Sequence, residues 1–125
     1  MNRMTRQLAY MLGVLFACAS HAAEPVWIDV RSAGEYEQGH LKGAILIPHG
    51  EIEQGVAALD IDRDATLYLY CRSGNRSGKA KARLEAAGYT RVINVGGLED
   101  ARSFSRQLLA CAEQETEECP AEPPV

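Results

Sequence analysis

At 125 residues, 24% of them charged and 46% hydrophobic, the chain has room for one domain with an ordinary core that needs no staple. Its 17 acidic residues outnumber 13 basic ones, for a net charge of −4. That balance excludes nucleic acid as an expected partner, because phosphate binding is driven by net basic surfaces.

Residues 1–22 have the layout of a cleavable secretory leader. Arg3 and Arg6 stand in a segment without acids, residues 8–19 are mostly apolar, and Ser20-His21-Ala22 supplies small residues at the −3 and −1 positions of a cleavage site. The apolar stretch is shorter than the roughly 18 to 20 residues of a membrane span, so cleavage after Ala22 or Ala23 is expected and no stable membrane association afterwards. Leu15-Phe16-Ala17-Cys18 has the outline of a lipoprotein box with Cys18 lipidated, but the bulky Phe16 fits it badly. Removal of residues 1–22 leaves 11 basic residues against 17 acidic ones, a net charge of −6.

The remaining chain alternates strands and helices. Val26 to Val30 is a strand-length run rich in aromatic and β-branched residues, and Ser32 can cap a short acidic helix from Ala33 to Glu37 that Gly39 stops. Ala44 to Ile47 is the next apolar run, closed by Pro48. Ile52, Val56 and Leu59 form one face of a helix expected over Glu51 to Leu59. Thr66 to Tyr70 is apolar or aromatic almost throughout, which suits a central parallel strand covered on both faces. A helix is expected from Gly78 to Ala87, with Ala80, Leu84 and Ala87 as its packing stripe and Gly88 as its left-handed terminator. Val92 to Val95 reads as a strand, Gly96-Gly97 as a turn, and Glu99 to Ala112 as a last helix burying Phe104 and Leu108. The expected organisation is a leader over 1–22, one domain over 23–112 and a mobile acidic, proline-rich tail over 113–125. The fold class is α/β, a parallel central sheet flanked by helices on both faces.

Charge and cysteine placement single out one loop. Arg63 to Arg91 carries seven basic residues and two acidic ones, and Cys71 lies within it. In an oxidising compartment Cys111 and Cys119, eight residues apart, are candidates for a structural disulfide, which leaves Cys71 unpaired. Cys71 ends a strand at the place where open α/β sheets bind ligands. The loop Cys71-Arg72-Ser73-Gly74-Asn75-Arg76 can turn backbone N–H groups inward, and the following helix adds the positive end of its dipole. A cysteine so placed has its pKa lowered and should be largely thiolate at neutral pH. Arg72 and Arg76, standing ahead of the helix, offer planar forks to an oxyanion. The bland alternative is a core cysteine that happens to end a strand, but this polar loop makes poor cover for an inert thiol. Two chemistries suit the arrangement: attack on phosphorus, or attack on a sulfane sulfur to give a persulfide.

Asp29-Val30-Arg31, Glu35-Tyr36, Gly39-His40-Leu41-Lys42-Gly43-Ala44, Ile47-Pro48, Cys71 through Ser77, Gly88-Tyr89 and Val95-Gly96-Gly97-Leu98 occur in order. Together they resemble the signatures of a single-domain rhodanese, and the chain is especially similar to the exported, phage-shock-protein-E type of thiosulfate sulfurtransferase. The resemblance implies a rhodanese-like fold, a periplasmic location and a Cys71 that takes the outer sulfur of thiosulfate. It implies release of sulfite and delivery of the persulfide sulfur to cyanide or a thiol, with no metal or organic cofactor. Ser73, Gly74 and Asn75, with Arg72 and Arg76, are then the binding residues around that sulfur. Related phosphatases place arginine six positions after the cysteine, where this chain has Ser77, so phosphatase or arsenate reductase activity is disfavoured. A noncatalytic sulfide carrier or protein-binding module is the other reading. Asp29, Arg31 and His40 are assigned structural roles, with Arg31 expected to pair with Glu35 or Glu37, and nothing makes His49 a base. Where rhodaneses often carry Trp a few residues after the Gly-Gly pair, this chain has Ala101.

Overall fold

A computed structural model describes residues 24–114 and 119–124. The expected leader over 1–22 and part of the expected tail lie outside these residues. Among them the elements run β1 (Val26–Asp29), α1 (Ala33–Glu37), β2 (Ile45–Leu46), a 3-10 turn (His49–Glu51), α2 (Ile52–Ala57), β3 (Thr66–Cys71), α3 (Asn75–Ala86), β4 (Arg91–Gly97) and α4 (Leu98–Gln114).

The four strands form one parallel sheet in the order β2-β1-β3-β4. Side-chain alternation along β3 sorts the core into two layers. Leu67, Leu69 and Cys71 face α2 and α3 with Ile28, Val30, Ile52, Val56, Ala80 and Leu84, all buried. Tyr68 and Tyr70 face the other way, with Leu41, Val95, Ala101 and Phe104. Tyr68 stands edge-on to Phe104 at 5.3 Å between ring centroids and lies 4.6 Å from Trp27. Ala101 is itself fully buried in this second layer.

The sheet order reverses at β1, which sends β2 to one side and β3 to the other, so a crevice opens beyond the carboxyl ends of β1 and β3. At the β1 end, Arg31 is buried against Asp29 and not paired with Glu35 or Glu37 as its spacing suggested. Its Nε and Nη2 reach the Asp29 carboxylate at 2.7 to 3.0 Å, and Nη2 also donates to the Gly39 carbonyl at 2.7 Å. The Tyr70 hydroxyl donates to Asp29 Oδ2 at 2.9 Å and accepts from the Leu41 N–H at 3.0 Å. A buried ion pair needs such saturation, because desolvation otherwise outweighs the Coulomb gain. Burial, with Asp29 adding to it, pushes the Tyr70 phenol up to about 12, which keeps it a hydrogen-bond donor. The network ties β1, β3 and the Gly39–Leu41 segment into one frame.

Most element ends shift by one or two residues from the sequence reading, and two boundaries beside Cys71 differ in kind. Helix α3 begins at Asn75 rather than Gly78, because Gly74 takes a left-handed conformation (φ 89°) that redirects the chain straight from the loop into the helix. Strand β4 continues through Gly96 and Gly97, which were expected as a turn, by way of a bulge opposite Leu69/Tyr70. A Cβ at Gly97 would lie 2.7 Å from the Arg72 carbonyl oxygen, so the end of β4 can lie against the Cys71 loop only without a side chain. Of the expected tail, residues 119–122 bound a cleft of about 620 Å³ together with β4, Lys81, Glu85 and Leu108, and the sulfurs of Cys119 and Cys111 are bonded.

Tyr70→Phe would strand a buried N–H and remove one partner of a buried carboxylate, so urea unfolding should show a loss of about 1–3 kcal/mol. An unchanged midpoint would mean that the frame does not depend on this hydroxyl.

Candidate active site

Cys71 closes β3 on the α3 side of the sheet and is fully buried. Its Sγ accepts from the Gly74 N–H at 2.9 Å and lies 3.4 Å from Ser77 Oγ. The left-handed Gly74 curls the chain so that the N–H groups of Ser73, Gly74 and Ser77 converge on one sulfur. Burial pushes the thiol pKa up, but the hydrogen bonds from the Ser77 hydroxyl and from these backbone groups outweigh it and hold it at about 7, below the ordinary 9.0. The shift favours the thiolate near neutral pH, in the direction that the loop composition suggested, with burial opposing it.

The two arginines of the loop part company. The Arg76 guanidinium, in the first turn of α3 rather than ahead of the helix, is bonded through Nη1 and Nη2 to the two oxygens of Glu35 at 2.8 and 3.0 Å. Glu35 also accepts from the backbone N–H of Ser32, in a reciprocal cap with the Ser32 hydroxyl. The Arg76 guanidinium first, and then the Ser32 N–H, hold the Glu35 carboxyl at about 2. Arg76 thus pins α3 to α1, and its charge reaches Cys71 only from a distance. Arg72 is exposed and has no side-chain hydrogen bond or ion pair among the described residues. Of the two, it is the one free to meet an anion. Asn75 is exposed at the helix start, and Ser73 contributes its backbone.

Two side chains near the thiol were not among the candidate site residues. Ser77, fully buried, donates from Oγ to Asn94 Oδ1 at 2.7 Å. Asn94, on β4, also accepts from the Gly96 N–H at 3.1 Å and donates to the Gly74 carbonyl at 2.9 Å. A polar residue in the otherwise apolar run Val92-Ile93-Asn94-Val95 was the available signal. His40 stacks on Tyr36 at 3.6 Å, with Nδ1 2.9 Å from the Tyr36 carbonyl, as part of the scaffold. Among the described residues no cluster of His, Cys, Asp or Glu could hold a metal ion, and no helix is long and apolar enough to cross a membrane.

A buried thiol of lowered pKa at the carboxyl edge of a parallel sheet, accepting from the Gly74 N–H, agrees with comparison to known proteins. Residues 17–103 match the family model described as a rhodanese-like domain. The chain belongs to the rhodanese-like family. This rhodanese-like chain is 44% identical over 89 residues to the thiosulfate sulfurtransferase PspE of Escherichia coli, covering 71% of itself and 85% of that protein. A solved E. coli structure described as a rhodanese with anions superposes with a TM-score of 0.59 at 44% identity, over 62% of this chain and 91% of that one. The putative sulfur carrier protein YrkF of Bacillus subtilis is 38% identical over 68 residues, which span 54% of this chain and 36% of that protein.

Because folding depresses the Cys71 pKa, ionisation stabilises the fold fully above the unfolded thiol value, and that contribution is lost as pH falls through about 7. Alkylation of the folded protein by iodoacetamide should accordingly titrate with a midpoint near pH 7. A midpoint at the ordinary thiol value would show that the converging donors do not act on Sγ.

Proposed function

We propose that this chain is a thiosulfate sulfurtransferase working through a persulfide on Cys71. The observation that carries the reading is the Cys71 Sγ held 2.9 Å from the Gly74 N–H inside a ring of backbone donors. In the loading step the Cys71 thiolate forms a bond to the outer sulfur of thiosulfate, the sulfur–sulfur bond of thiosulfate breaks, and its electron pair leaves with sulfite. In the discharge step cyanide or a thiolate bonds to that outer sulfur, and the electron pair of the breaking bond returns to Sγ. The loop amides of Ser73 and Gly74 cradle the persulfide, and the exposed Arg72 meets the sulfur oxyanion as it enters or leaves. No metal or organic cofactor takes part in either step.

Arg76 supports sulfur rather than phosphorus as the reacting atom. Its fork is spent on Glu35, so Arg76 is not free to clamp a tetrahedral phosphate over the cysteine. The likeness to PspE supports thiosulfate as donor, and the leader read over residues 1–22 supports an exported, periplasmic protein. A carrier that is loaded but does not turn over is the second reading, favoured by the likeness to YrkF.

After thiosulfate, the mass of the protein should rise by one sulfur atom located on Cys71, and cyanide should remove it as thiocyanate with repeated turnover. Cys71→Ser should lower turnover at least about a thousandfold. Loading without turnover would favour the carrier, whereas aryl phosphate hydrolysis lost in Cys71→Ser would replace sulfur transfer with phosphatase chemistry.

A further inference from the structure

We propose that Asn94 is a positioning residue that holds the Ser77 hydroxyl where it stabilises Cys71 Sγ as that sulfur departs during discharge of the persulfide. The inference rests on the sulfurtransferase reading and adds to it the group that serves the leaving sulfur.

The geometry begins with an amide whose orientation is determined. Asn94 Oδ1 faces the Gly96 N–H and Nδ2 faces the Gly74 carbonyl, so a flipped amide would set donor against donor and acceptor against acceptor. Oδ1 is therefore a fixed acceptor for Ser77 Oγ at 2.7 Å. The Ser77 hydroxyl has one proton and two acceptors in reach, since Cys71 Sγ lies 3.4 Å away. While Sγ is neutral, as a thiol or as the inner sulfur of a persulfide, the proton belongs on the shorter contact to Asn94. Once Sγ carries charge, a charge-assisted bond to sulfur competes for it. Asn94 keeps Oγ in place between these states, and its bond to the Gly74 carbonyl keeps the Gly74 N–H on the same sulfur.

The two half-reactions use this hydroxyl differently. During loading Sγ starts as a thiolate and loses charge, so a hydrogen bond to it stabilises the starting state and gives no help to attack. During discharge the acceptor bonds to the outer sulfur, the bond from that sulfur to Sγ breaks, and Sγ gains the electron pair. A donor to Sγ then strengthens as the transition state forms, which is the condition for a catalytic gain. The neighbouring helix packs against the device at Gly78, where a Cβ would sit in contact, 3.4 Å from Asn94 Nδ2. The charges around it are held apart from this exchange. Arg76 of α3 is clamped by Glu35 of α1, and Asp100 of α4 accepts from the Gly97 N–H. Arg31 at the β1 end is neutralised by Asp29, while Lys81 and Glu122 border the cleft beside Asn94.

The test compares wild type, Asn94→Ala, Ser77→Ala and the double variant by three rapid-mixing measurements. Loading is followed with thiosulfate above the thiol pKa, discharge with cyanide, and Cys71 ionisation by iodoacetamide alkylation against pH. Each single variant is expected to slow discharge about ten- to a hundredfold, to change loading less than about threefold, and to raise the alkylation midpoint by about one unit. The double variant should be little slower than the slower single one, because both residues act through one hydroxyl. Unchanged discharge in Asn94→Ala, equal slowing of both half-reactions, or fully multiplying effects would overturn the proposal. Ser77→Ala removes one buried oxygen and reads the hydroxyl even if Asn94→Ala unfolds; an unchanged alkylation midpoint in it would also be decisive against the proposal. Alkylation needs no sulfur donor, so failure of thiosulfate to load Cys71 would strike the sulfurtransferase reading, whereas that unchanged midpoint strikes the role of the hydroxyl.

Discussion

The structure depends on the convergence of the first turn of α3 on the sulfur that ends β3. A buried cysteine surrounded by Leu69, Ala80 and Leu84 would ordinarily stay protonated, because low-dielectric surroundings disfavour its charged form. The loop reverses that outcome by bringing the Gly74 N–H to 2.9 Å and the Ser77 hydroxyl to 3.4 Å. Desolvation and hydrogen bonding pull the thiol in opposite directions, and the bonds prevail, holding it at about 7. A nucleophile poised in this way keeps high intrinsic reactivity, since a thiolate of much lower pKa attacks more slowly.

Everything around the loop serves to keep that convergence from relaxing. The buried Asp29–Arg31 pair and Tyr70 fix the β1 end of the crevice, the Glu35–Arg76 pair fastens α3 to α1, and Asn94 fastens β4 to the loop. The end of β4 approaches so closely that glycine is required at Gly97, where a side chain would collide with the Arg72 carbonyl. These contacts come from different segments of the chain, so each constrains the donors from a separate direction. Preorganisation of this kind is what lets hydrogen bonds act on charge at the moment it appears.

Much of this was legible in the sequence because it is encoded locally. Ser32 marked the α1 cap, the apolar run into Cys71 spelled a central strand, and the small polar loop after it marked the reactive end of the sheet. What could not be read depended on partners distant in sequence. Arg76 was taken as an anion contact because nothing near it reveals that Glu35, 41 residues earlier, will occupy it. Arg31 was given glutamate partners a few residues ahead, whereas it pairs with Asp29 two residues behind it, and the Tyr70 hydroxyl and Gly39 carbonyl that complete this buried network come from further along the chain. The start of α3 was misplaced because Gly78 resembles a helix boundary, whereas it is an interior glycine packed against Asn94. Asn94 itself was visible as a polar break in an apolar strand, a signal that became informative only once Ser77 and Gly74 stood opposite it.

The central claim is that the donors converging on Sγ exist to hold a sulfur transferred to it. A crystal structure of the protein soaked in thiosulfate tests this most directly. It should show one additional sulfur about 2.05 Å from Cys71 Sγ, within hydrogen-bond distance of the loop N–H groups. An unmodified Cys71 in crystals whose dissolved protein turns thiosulfate over would contradict it.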